Sequence, residues 1–218
     1  MTHSTDKYIL GAGGMAREAY QIYVRLGCES TIKGFLVSAE YNNKNELYSI
    51  PVLNENDIIY TSSKIISAIG TPLRKEWIVG LEAKGVKFDT LIDPSSVIGQ
   101  KVKVGIGSII CSNVSLTCDI SIGKHSIINC NVSLHHDVVI GNFVTIGPGT
   151  TLAGGVKIGR GSYIGAGTTI IPGIEIGANC YIGAGSTVIS NISDSYLAYG
   201  SPAKKIRKLN NLDWKKLI

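Results

Sequence analysis

The sequence predicts a small α/β unit followed by a parallel β-solenoid. Two observations carry that prediction. A six-residue apolar repeat runs without insertion from Ile92 to Val188, and a strand, a glycine turn and a helix open the chain over residues 7–26. Composition agrees with both. Of 218 residues, 26 are glycine, and only 17% are charged, against usual values of roughly 7% and 25%. An apolar content of 44% is too high for a disordered chain. The glycines lack the G-X-Y period of collagen. No run of about 18 apolar residues exists to span a membrane. Residues 1–10 lack an apolar signal core with a cleavage site, so a cytoplasmic protein is expected.

The first unit opens with Lys7–Leu10 as a short strand. Gly11-Ala-Gly-Gly-Met-Ala16 follows, and Arg17–Leu26 suits a helix. The match to G-x-G-x-x-A falls on Gly11, Gly13 and Ala16, in the strand–turn–helix setting that the motif needs. Such a turn either binds phosphate or sugar at the helix N-terminus or is a tight turn with no ligand. Ile32–Val37, Pro51–Leu53 and Ile65–Gly70 read as further strands, and Arg74–Lys84 as a second helix. A small parallel sheet follows. A dinucleotide site would place an acid about 20 residues on, for the ribose. Here the second strand ends Phe35-Leu36-Val37-Ser38, which disfavours an NAD enzyme.

The repeat comes next. Stepping by six from Ile92 to Val188 gives seventeen positions, all Ile, Leu or Val. The position four further on is mostly small or β-branched, as at Ser108, Val114, Ser126 and Val132. One large and one small inward residue per six suits a short strand and a corner. Glycine after the large residue, as in Ile140-Gly141, is expected to supply the corner's permissive backbone. This is a hexapeptide repeat. It resembles the left-handed parallel β-helix of the bacterial acyltransferases, in which three hexapeptides make a coil and residues 18 apart stack.

Stacking singles out one corner. Leu134, Leu152, Ile170 and Val188 are followed by His135, Ala153, Ile171 and Ile189, whereas the other two columns are dominated by glycine. A local departure from the structural pattern marks a candidate site.

Charge is concentrated at the other end. Residues 200–218 hold Lys204, Lys205, Arg207, Lys208, Lys215 and Lys216 against Asp213, so this segment carries the whole formal charge of +5. A nucleic-acid binder is not expected from such a distribution. The tail is either a solvated terminus or a phosphate-binding one. Five cysteines without a C-x-x-C form neither a disulfide framework nor a zinc ribbon.

Together these parts resemble the PglD/NeuD-like sugar acyltransferase family along nearly the whole chain. The stretches that carry the resemblance are Leu10–Gly14, Ala68–Gly70 with Arg74, Ile92–Ser95, Asn129, His136-Asp137 leading into Val139–Gly141, Ala153-Gly154 and Gly200–Lys204. The resemblance implies a Rossmann-like nucleotide-sugar-binding domain over 1–90, a left-handed β-helix acetyltransferase domain over 91–199 and a basic tail over 200–218. It implies acetyl transfer from acetyl-CoA to the amino group of a nucleotide-linked amino-deoxysugar, a 4-amino-4,6-dideoxyhexose being the first candidate. The alternative is O-acetylation of sialic acid. It also implies a homotrimer with sites between subunits.

Roles carry over residue by residue. The family's base falls on His136 and its acidic neighbour on Asp137. An amine or hydroxyl attacking a thioester must lose a proton, and a neutral imidazole can accept it. His135 is the competing choice. The oxyanion donor falls on Gly154, which is also 18 residues beyond His136 and therefore stacked above it. Gly155, or plain turn chemistry at Gly154, is the alternative. Asn129 matches a family asparagine near the acceptor, or else is an interior or corner amide. The nucleotide sugar falls to Gly11, Gly13, Gly14, Met15, Gly70 and Arg74. Acetyl-CoA falls to Gly147, Gly165, Ala166, Gly183 and Ala184, with Pro202, Lys204 and Lys205 toward its phosphates.

The chain departs from the family pattern in three places. Gly141-Asn-Phe143 is followed by Val144 and Thr145, where some members have a second histidine. Val37 and Ser38 stand where one member has paired aspartates beside a uridine, so uridine, thymidine and guanosine all stay open. Asp93 replaces the histidine of the family's I-H-P. Two readings from other classes stand beside the transferase. A zinc lyase would draw on His125, His135 and His136, but no two of these stack, so no metal site is expected. A non-catalytic binding protein with a degenerate site is the other.

Overall fold

The computed structural model describes residues 6–38, 45–58, 63–210, 213 and 217. Lys215 and Lys216 of the basic segment lie outside the described residues.

The first unit is a six-stranded sheet with two helices. Its elements are β1 (Lys7–Leu10), α1 (Gly14–Arg25), β2 (Ile32–Val37), β3 (Glu46–Leu47), β4 (Ile50–Asn54), β5 (Lys64–Ser67), α2 (Arg74–Ala83) and β6 (Lys87–Phe88). The sheet order is β3-β4-β2-β1-β5-β6, parallel except for the β3–β4 hairpin. Chain order therefore reverses direction between β1 and β5. In open parallel sheets a ligand crevice forms at the carboxyl ends of the strands at that point. Helix α1 starts three residues before the helix expected from sequence, because Gly13 and Gly14 allow the first turn to form directly on the strand end. Gly11 has φ +108° and sits under Ala68 O, so a side chain there would be strained and crowded.

From β7 (Leu91–Ile92) to β23 (Thr187–Val188), seventeen two-residue strands recur every six residues. Among themselves they pair with strands 18 residues away, in parallel, and form three flat sheets. This is a parallel β-helix. The large hexad residues fill its interior, from Ile110 through Val188. The second inward position is frequently a hydroxyl that is buried yet satisfied. Ser108, Ser126 and Ser162 each donate to a corner carbonyl at 2.8 Å. Polar groups can occupy a dry core on those terms.

The corner glycines have a different cause from the one expected. From Ile98 to Ile182, positive φ falls three residues after each large residue, at Asn131, Asp137, Phe143, Gly149 and Gly155 among others. Asparagine, aspartate and even phenylalanine are accepted there. The glycines directly after the large residue are needed for close approach instead. A Cβ on Gly141 would lie 2.6 Å from Arg160 N, and one on Gly165 would lie 2.4 Å from Ala184 N. Successive coils simply leave no room for it.

The three faces differ. The outward residues of the first face begin Leu91, Ile109, Ile127, and these are buried against Ala19, Ile22 and Tyr23 of α1. The second face presents Val97, Ser115, Ser133, Thr151, Thr169 and Thr187, none of them charged. The third carries Lys103 and the Lys157–Glu175 pair. Two ties lock the first unit onto the coil. Arg25 donates to Asp93, whose side chain is fully buried. Burial pushes that carboxyl up, but the Ser95 O–H and N–H and the Arg25 guanidinium outweigh it and hold it below its usual range. Asp93 thus does structural work at the family's histidine position. The second tie is Arg74, described below.

The chain closes with β24 (Tyr196–Gly200) and β25 (Ala203–Lys208), an antiparallel hairpin that extends the first sheet. The basic segment is therefore partly a strand. No helix among the described residues is long and apolar enough to cross a membrane.

Candidate active site

The corner after the second face carries His135, His136 and Asp137. Asp137 has φ 63°, and this left-handed backbone turns its side chain back alongside its neighbour. His136 Nδ1 lies 2.9 Å from Asp137 Oδ2. Adjacent residues normally diverge, and the corner overcomes that. A carboxylate only accepts, so Nδ1 donates, and in the neutral ring Nε2 is then the nitrogen that carries the lone pair. The imidazole is 63% exposed, open to a ligand. The neighbouring His135 also faces solvent, but no described residue bonds its ring.

Gly154 lies one coil above His136. A Cβ at Gly154 would be 2.4 Å from both Nε2 and Cε1 of the imidazole, so the histidine ring covers this backbone. The Gly155 N–H is committed to His136 O at 2.9 Å. The Gly154 N–H donates to no described residue. Of the two candidate donors, only Gly154 is available.

The preceding corner, after the first face, carries Asn129, then Gly147-Pro148, Gly165-Ala166 and Gly183-Ala184 in successive coils. The Ala166 and Ala184 N–H groups donate to no described residue. At the third corner the equivalent amides are capped, Lys124 N by Asn142 and Ala178 N by Asp194. Gly147, Gly165 and Gly183 are explained by close coil packing. Asn129 Nδ2 donates to Ile146 O at 2.7 Å, which makes it a corner amide. It also lines a cavity of about 440 Å³ together with Gly14, Met15 and Gly70. The corner-amide reading thus describes Asn129, and its side chain is also open to a cavity.

A second cavity, about 550 Å³, lies at the strand-order reversal and is lined by Gly11, Gly13, Val37, Ser38, Leu73 and Trp77, among others. Gly13 caps α1 without a side chain, and no acid stands in the first turn. The opening N–H groups of α1 are unpaired, the arrangement that suits an anion. Thr71 lines both cavities.

Arg74 also lines the second cavity, but its guanidinium is turned into the coil. It is only 2% exposed. Its guanidinium donates to His125 O from both Nε and Nη2, to Val144 O, to Thr145 Oγ1 and to Gly70 O. All five donors of an arginine are thereby spent, and none is left for substrate phosphate. Burial alone pulls its pKa down to about 9; the ring of acceptors favours the charged form. Arg74 pins α2 to the coil. His125 belongs to this junction. It is buried, stacked on Phe143 and edge-on to Phe88, with Nε2 3.1 Å from Glu82. No group of three metal-ligating side chains occurs among the described residues.

Pro202, Lys204 and Lys205 are exposed on the final hairpin, beyond the Ala184 corner. Arg207 instead pairs with Asp213 at 2.8 Å. The structure does not join His136 to either cavity. The second face separates its corner from the Asn129–Ala184 corner. Sequence reasoning missed Glu18, Thr71, Thr145 and Tyr163, all of which line the Asn129 cavity. Helical spacing puts Glu18 on the same face of α1 as Gly14 and Met15, which could have revealed it.

The family profile described as bacterial transferase hexapeptide (six repeats) matches residues 119–154 and 155–190. No curated protein sequence matches the chain. Among solved structures, the chain is similar to a perosamine N-acetyltransferase from Caulobacter crescentus, a histidine-to-asparagine mutant in complex with CoA and GDP-perosamine. Identity is 30%, over 93% of this chain and 97% of that one, with a TM-score of 0.86. It is also similar to the acetyltransferase domain of PglB from Neisseria gonorrhoeae in complex with acetyl coenzyme A, at 25% identity over 93% and 99% of the two chains and a TM-score of 0.86. WeeI from Acinetobacter baumannii gives 27%, 92%, 99% and 0.84. With this identity along nearly the whole Caulobacter enzyme and the hexapeptide profile on its coils, the chain belongs to the PglD/NeuD-like hexapeptide-repeat sugar acetyltransferases.

Proposed function

We propose that the protein transfers acetyl from acetyl-CoA to the amino group of a nucleotide-linked amino-deoxysugar, with a 4-amino-4,6-dideoxyhexose as the first candidate. The observation that carries this is the His136 corner: an exposed imidazole fixed at Nδ1 by Asp137, with its other nitrogen against an unpaired backbone amide at Gly154. The amine attacks the thioester carbonyl directly. His136 Nε2 takes its proton, Asp137 steadies the imidazolium, and the Gly154 N–H meets the oxyanion. As the intermediate collapses the C–S bond breaks, and the His136 imidazolium returns its proton to the sulfur, so that CoA leaves as its thiol. The relatives solved with CoA, acetyl-CoA and GDP-perosamine support these two co-substrates.

The N-terminal unit is taken as Rossmann-like over 1–90, with the diphosphate on the opening turn of α1 and the base toward Val37 and Trp77. The left-handed β-helix takes 91–199. The free Ala166 and Ala184 amides suit the pantetheine arm, and Lys204 and Lys205 of the 200–218 segment suit the CoA phosphates. His136 and the Asn129 cavity lie on opposite edges of the uncharged second face. A homotrimer packed through that face would bring one chain's His136 edge to another chain's Ala166 edge, which supports sites between subunits. Both co-substrates are cytoplasmic metabolites, and the reaction is placed there.

Release of CoA thiol should be measured with acetyl-CoA and GDP-, UDP- and dTDP-linked 4-amino-4,6-dideoxyhexoses beside free sialic acid. Turnover of at least one amino sugar, well above that of sialic acid, is expected. Turnover of sialic acid alone would overturn the proposal. Gly154→Ala offers a finer check. The new Cβ must push the exposed imidazole away, which is cheap for folding but removes the base from its place. A kcat loss of about 10²-fold or more is expected, with the unfolding midpoint little changed.

A further inference from the structure

The Asn129 cavity holds a single formal charge. Among the described residues lining it, Glu18 is the one ionised side chain. Glu18 makes no hydrogen bond or ion pair with any described residue. Arg25, two turns further along α1, is committed to buried Asp93. Glu18 is exposed on α1, so its carboxylate stands at the open rim of the cavity. A carboxylate at a cavity rim with no protein cation beside it attracts one carried by a ligand.

The cavity's place says which cation. Gly13 lines the cleft at the strand reversal and Gly14 lines this cavity, while Thr71 lines both. A diphosphate on the first turn of α1 therefore has its sugar directed past Gly14 toward Glu18 and Asn129. Resting on the nucleotide-sugar function proposed above, we propose that Glu18 is a specificity-determining residue that draws in the ammonium form of an amino-sugar acceptor and repels acceptors bearing a carboxylate. Glu18 touches no bond that forms or breaks. Its part is in binding, before the ammonium releases one proton to solvent and the neutral amine attacks. The same charge disfavours sialic acid, which brings a carboxylate of its own, and a neutral hydroxyl sugar gains only a hydrogen bond.

The test compares the natural protein with Glu18→Gln, using the GDP-, UDP- and dTDP-linked amino sugars, acetyl-CoA and the bare nucleoside diphosphates as probes. For the amino sugar turned over, KM should rise about tenfold or more in the variant, while kcat stays within about threefold. The KM for acetyl-CoA and the calorimetric affinity for the nucleoside diphosphate should not move. Added salt should raise the natural protein's KM more than the variant's. An unchanged KM in an otherwise active variant would overturn the role of Glu18 and leave the transferase function standing. A variant that also loses acetyl-CoA or nucleoside diphosphate binding would show a structural role and overturn it too. Failure of the natural protein to turn over any amino sugar would remove the function itself, and this inference with it.

Discussion

Replacing His136 with alanine is expected to lower kcat by at least about 10²-fold. The fold should not suffer, because the ring is largely exposed and its one side-chain bond is to Asp137. Calorimetry should show acetyl-CoA binding unchanged, since the amides that suit it lie at the other corner. Asp137→Asn should cost less than His136→Ala. The amide keeps an acceptor for Nδ1–H but loses the charge that steadies the imidazolium. His135→Ala should be near normal. If His136→Ala turns over at nearly the natural rate, His136 is not the base. If His135→Ala is the dead variant, the base is its neighbour.

Arg74→Met should destabilise the protein by about 3 kcal/mol or more. The side chain fills the same channel, but five hydrogen bonds vanish and His125 O is left buried without a donor. Lysine should not rescue it, because three donors on a point charge cannot reproduce the planar fan. Urea unfolding measures the effect. A loss within about 1 kcal/mol would mean that the junction between α2 and the coil is held elsewhere. A stable Arg74→Met protein with a raised KM for the sugar nucleotide alone would return Arg74 to substrate binding.

The repeat was fully legible because its period is written in the chain. Ile92 through Val188 name the core position by position, and β7 to β23 fall where the period puts them. β1, β2, β4 and β5 of the first unit were legible as apolar runs beside turn signals, whereas β3 and β6, two residues each, are too short to leave such a run. What failed was the physics assigned to single residues. Gly141 and Gly165 read as corner glycines chosen for φ, yet their φ is ordinary and the next coil's backbone forbids a Cβ. The true left-handed positions accept Asp137 and Phe143, so composition hides them. The resemblance alone assigned Arg74 to the nucleotide sugar. Its burial depends on contacts about 50 and 70 residues away in the chain, which no local pattern records. The outward Ile109 and Ile127 were a usable signal for the face that α1 covers. The pairing of His136 with Asp137, and the choice of Gly154 over Gly155, depended on corner geometry alone.

The most direct measurement is the linkage of the acetyl group in the product. The protein should be incubated with acetyl-CoA and the nucleotide-linked 4-amino-4,6-dideoxyhexoses, and the product examined by mass spectrometry and NMR before and after mild base. The expected product carries one acetyl group as a base-stable amide, and it is absent when His136→Ala replaces the natural protein. A base-labile ester, or amide formed equally well without His136, would contradict the account.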